Sequence, residues 1–142
     1  MRRLSELLLL AVWLLPAAVA AKPEPLNIKV IHAHNKSKIV DLRIEKLVKQ
    51  FKLAFTAYEL KDEAEFNLEL GSIGRMQLPS GEWMSVVAKE LGADGKLKLD
   101  LTVDKLRFKS TVSIDPGATL AVGGPAQQEG ALLLAITRPK PE

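Results

Sequence analysis

The sequence predicts an α+β domain dominated by strands: a mostly antiparallel sheet curled into a sandwich or partial barrel, with one amphipathic helix packed on it. Three observations carry this. After Leu53 the apolar and polar residues alternate with a period of two, the repeat of a half-buried strand, and Gly, Pro, Asp and Ser clusters punctuate the alternation. One interval after the first 21 residues, Val40 to Phe51, spaces its apolar residues for a helix instead. The chain has no cysteine, so an apolar core and not disulfides must hold it together.

The elements follow in order. Lys22-Pro23-Glu24-Pro25 reads as an extended leader, since each proline biases its predecessor away from helix. Leu26 to His34 alternates as a strand. After the polar Asn35-Lys36-Ser37-Lys38, Val40, Ile44, Leu47, Val48 and Phe51 form one helical stripe, with Asp41 placed to cap its first turn. Strands are then expected over Ala54 to Leu60, Ala64 to Leu70 and Ile73 to Leu78, followed by a turn at Pro79-Ser80-Gly81. Trp83 to Leu91 is the next strand, and Asp94-Gly95 marks a tight hairpin. The cleanest alternation lies in Leu97 to Val103 and Leu106 to Ile114, each with one buried and one solvated face. Asp115-Pro116-Gly117 and Gly123-Gly124-Pro125 bracket the short strand Thr119 to Val122. Ala131 to Thr137, apolar on both faces, fits a central strand or one covered by the helix.

The N-terminus has the order of a secretory signal peptide: Arg2 and Arg3, the apolar run Leu7 to Leu15, then Pro16 and small residues up to Ala21. The apolar run is shorter than the ~20 residues of a membrane-spanning helix. The expected organisation is a signal peptide over 1–21, the leader over 22–25, a single β-rich domain over 26–137 and a C-terminal tail over 138–142. The expected location is periplasmic or secreted. Removing the signal leaves 121 of the 142 residues, enough for one core, and takes Arg2, Arg3 and Glu6 with it, which lowers the formal charge from +3 to +2. That excess is too small to imply a nucleic-acid partner.

The order of Asp41-Leu42-Arg43-Ile44 opening a helix, Leu78-Pro79-Ser80-Gly81, and Gly123-Gly124-Pro125 before Gly130-Ala131-Leu132-Leu133-Leu134-Ala135-Ile136 resembles small uncharacterised exported proteins of Gram-negative bacteria. That resemblance covers most of the mature chain and implies no activity. Thr111 to Thr137 is also similar to the last strands of the secretin β-domain, in which a glycine-punctuated strand precedes an apolar terminal one. The long upstream region of a secretin is absent, so this similarity implies an association with the envelope and with secretion but carries no pore.

Candidate chemistry is sparse, and no catalytic residue or cofactor is expected. Gly123-Gly124-Pro125 lacks the Lys-Ser/Thr and the following helix of a phosphate loop, and no G-x-S-x-G occurs. Glu63, Glu65 and Glu69 alternate with apolar residues, as on a solvated strand face. His32-Ala33-His34 places two imidazoles on one face of a strand. No metal is expected there: the pair chelates one only if a carboxylate such as Asp41, Glu59 or Asp62 joins it, and the expected form is a solvated strand end. Lys36, Lys38, Arg43, Lys46, Lys49 and Lys52 outnumber Asp41 and Glu45, so Arg43, Lys46 and Lys49 are the partner-binding candidates. The function expected is a non-catalytic extracytoplasmic module that binds another envelope protein through a sheet edge or the basic helix. The alternatives are a metal-binding protein using the histidine pair and a peripheral membrane-surface binder using the lysines.

Overall fold

A computed structural model describes residues 22–51 and 54–140. The signal-peptide expectation lies outside the described residues, as does Lys52. The elements are β1 (Glu24–His34), a 3-10 turn (Leu42–Ile44), α1 (Glu45–Phe51), β2 (Ala57–Leu68), β3 (Ile73–Gln77), β4 (Trp83–Leu91), β5 (Leu97–Val103), a second 3-10 turn (Asp104–Leu106), β6 (Phe108–Ile114), β7 (Thr119–Gly123) and β8 (Ala131–Thr137). They build two four-stranded sheets, ordered β2-β1-β8-β7 and β3-β4-β5-β6, and every ladder is antiparallel. The chain changes sheet after β2 and again after β6. The sheets do not close into a barrel, and their inner faces share one core, the arrangement of the expected sandwich.

The alternation of each strand fills the space between the sheets. Leu26, Ile28 and Val30 of β1 and Leu132, Leu134 and Ile136 of β8 meet Met84, Val86, Leu97, Leu99 and Leu101 of the opposite sheet. Each such side chain contributes roughly 1.5–3 kcal/mol when fully buried, which is how a chain without disulfides holds its fold. β8 is apolar on both faces for two reasons at once. It lies between β1 and β7, and Leu133 and Ala135 on its outer face sit in a second cluster with Ile31, Ala33, Tyr58, Ile44 of the 3-10 turn, and Leu47 and Val48 of α1.

Three sequence expectations are corrected. Val40 is not part of the helix: it forms an isolated bridge with Tyr58, and the ordered turn starts at Leu42, where Asp41 caps it by accepting the Arg43 N–H. The expected strands 54–60 and 64–70 are one strand, β2. Lys61-Asp62-Glu63 is charged but does not turn, because Lys61 is the extra residue of a bulge opposite Val30 and Ile31. The strand expected from Leu106 starts at Phe108, since the reversal after β5 consumes Leu106 in a 3-10 turn that ends on Arg107 at φ 51°. Of the glycines around β7, Gly117 has the positive φ of a turn, 77°, whereas Gly123 and Gly124 do not. Gly124 is constrained by space instead, because a side chain there would press on the Leu132 carbonyl.

Candidate functional site

The bulge decides what surrounds the histidines. Leu68, Phe66 and Ala64 of β2 face the sandwich core, while Tyr58 and Leu60, of the same parity, face the helix side. Only an extra residue between the two sets reconciles them, and Lys61 is that residue. Past the bulge Glu59 therefore pairs with His32, and Ala57 with His34. The two histidines continue the parity of Ile28 and Val30 beyond the end of the packed core, so their rings lie side by side with centroids 5.1 Å apart. Glu59 Oε2 sits 3.8 Å from His32 Nδ1 and 3.8 Å from His34 Nε2. The three candidate ligand atoms lie within 4.8 Å of one another. Of the three carboxylates the sequence offered, Glu59 is the one in the cluster: Asp41 is held by Arg43, and Asp62 pairs with Val30 on the far side of the bulge.

Two backbone contacts fix the imidazoles. His32 Nε2 lies 2.9 Å from the Glu129 carbonyl oxygen, which only accepts, so Nε2 carries the proton and Nδ1 turns its lone pair toward Glu59. His34 Nδ1 accepts the Lys36 N–H at 3.1 Å, which leaves the ring proton on Nε2 in the neutral form. The Glu129 carbonyl reaches His32 because the next residue is glycine. Gly130 has φ 68°, and a Cβ on it would overlap the Ala33 carbonyl oxygen. Lys61 lies 3.3 Å from Glu59 and holds that carboxyl below its ordinary value.

The basic helix is less basic in three dimensions than in sequence. Arg43 Nε donates to both oxygens of Asp41, at 3.0 and 3.2 Å, and this pairing pulls the Asp41 carboxyl far below its usual range. Lys49 pairs with Glu45 one turn back at 3.1 Å, and Lys36 pairs with Glu129 across the loop. Lys46, like Lys38, has no ion pair among the described residues. Between them Ile39 is 70% and Leu42 is 83% exposed, the two most exposed large apolar side chains among the described residues. The sequence singled out the lysines here and missed both aliphatics. Leu42 breaks the stripe Ile44, Leu47, Val48 and Phe51, and that break was the available signal.

Elsewhere Glu63 and Glu65 lie on the exposed face of β2, and Asn27 donates to Glu63. Trp83 borders an open cleft of about 430 Å³ with Arg75, Glu82, Asp104 and Lys105, whose mixed charges select no ligand chemistry. Among the described residues no helix is long and apolar enough to cross a membrane. No protein-family profile, curated protein or solved structure matches this chain.

Proposed function

We propose that the chain is a non-catalytic, extracytoplasmic module of the cell envelope that docks a protein partner with an acidic surface on its helix side. Export follows from the charged, apolar and small-residue order of residues 1–21. Ile39 and Leu42 carry the docking reading: two aliphatic side chains within four residues are held in water, beside Lys38 and Lys46, by a loop that is itself pinned. The pins are backbone bonds between residues 39–41 and Tyr58, and the Thr56 hydroxyl bond to the Ser37 carbonyl at 2.6 Å. Exposed aliphatics on an ordered loop add nothing to the fold, and burying them against a partner gains roughly 1.5–3 kcal/mol each. The unpaired lysines set the sign of the partner's charge and steer its approach.

A photo-crosslinking residue at Leu42 in living cells tests this. One envelope protein should be captured, and the yield should fall when Lys46→Glu is added. Capture of lipid in place of protein would move the function to the membrane surface. A yield no higher than from Lys109, on the outer face of the other sheet, would remove the docking face.

A further inference from the structure

We infer that His32, His34 and Glu59 form a binding site for one divalent late transition ion of the Zn(II) or Cu(II) type, at the rim of the sandwich. The donor set is two imidazole nitrogens and one carboxylate oxygen, the borderline combination that these ions take. Zinc bonds of about 2.0–2.1 Å in a tetrahedron place donor atoms roughly 3.3 Å apart. Glu59 Oε2 already stands 3.8 Å from each ligand nitrogen, so a contraction of roughly half an ångström brings it to both. Three protein donors leave a position for water, which makes this an open site.

His32 is prepared for the ion. Its Nε2–H is spent on the Glu129 carbonyl, the outer contact that orients a metal-bound imidazole and fixes its tautomer, and Nδ1 is left as the donor. Adjacent ladders with Glu59 and Leu132 hold the ring's strand in place. His34 must change. Its Nε2 proton has to move to Nδ1, which displaces the Lys36 N–H, and Lys61 has to release Glu59. Ion binding is thereby coupled to the Asn35–Ser37 loop, whose Lys36 side chain holds Glu129. This coupling gives the site a signature separate from affinity: the Lys36 amide moves when the ion binds.

The test is calorimetric titration of the full, tag-free chain with Zn(II) and separately with Cu(II), paired with NMR of the histidine ring nitrogens and of the Lys36 amide. One ion per chain is expected, with both imidazoles and the Lys36 amide shifting together. Loss of an outer contact alone typically weakens a metal about 10- to 100-fold, so removing a direct ligand in His32→Ala, His34→Ala or Glu59→Gln should cost at least that. Glu59 is half exposed, so Glu59→Gln keeps the test decisive should a histidine variant fail to fold. No saturable binding of either ion, or wild-type affinity in any folded variant of the three, overturns the site.

Discussion

At the scale of single residues, Arg138 shows how much one side chain does. It is the first residue past the last strand, where the sequence suggested a tail, yet it is only 6% exposed. One guanidinium nitrogen donates to the carbonyls of Gly95, at 2.7 Å, and Ile114, at 3.0 Å, in the second sheet; another meets Glu24 at the start of β1, at 3.3 Å. A single planar group thus ties the β4–β5 turn, the end of β6 and the other sheet together. Arg138→Ala strands two carbonyls and leaves Glu24 without its partner, and should cost about 2–4 kcal/mol in urea denaturation. Arg138→Lys should not restore it, because an ammonium lacks the fork that spans these acceptors. A loss below about 0.5 kcal/mol, the ordinary range of a surface change, would contradict this role. Nothing in the local sequence reveals the lock, since its partners lie 24, 43 and 114 residues away.

At the scale of elements, the bulge in β2 separates what was legible from what was not. Lys61→Ala removes one exposed side chain and should change stability by less than about 0.5 kcal/mol. Deleting Lys61 shifts Tyr58 and Leu60 by one position and turns them from the helix cluster toward the opposite face, as any one-residue slip in a strand does. That deletion should abolish cooperative unfolding, read by near-ultraviolet circular dichroism; a deletion variant that melts like the parent would show that the bulge does not set the faces. The period-two pattern revealed strand 97–103 with its bounds, since one face is buried, and the continuous apolar run revealed 131–137, which is covered on both faces. It split β2 in two because Lys61, Asp62 and Glu63 look like a turn, and only pairing with β1 shows that the strand runs through them. Half of the candidate site was legible for the same reason. The His-x-His spacing is local, whereas the choice of Glu59 over Asp41 or Asp62 depends on a bulge, and the Glu129 contact depends on Gly130 fitting against Ala33.

At the scale of the whole molecule, the core sets stability, surface carboxylates shape its response to acid, and one exposed apolar loop is the docking face proposed above. Asp41 is held below its ordinary value by Arg43, Glu63 by the Asn27 amide and Lys29, and Asp100 by the Thr111 hydroxyl and Lys89. Each folded value lies below the unfolded one, so the unfolded chain takes up protons first. Their stabilisation is therefore complete above the ordinary carboxylate range, near pH 4, and is lost as pH falls from there through the folded values. The urea midpoint should decline between about pH 5 and pH 3, and a constant midpoint over that interval would contradict the assignment. The helix-side loop should behave in the opposite way, contributing to binding and not to folding. The most direct measurement of this is Leu42→Asp, assayed for both melting temperature and in-cell crosslinking from a probe at Ile39. Melting within the equivalent of about 0.5 kcal/mol of the parent, together with loss of the captured partner, is the result a docking face predicts. A melting temperature lowered by several degrees would instead place Leu42 in the structure of the fold, and capture that persists at the parent's yield would show that the partner binds elsewhere.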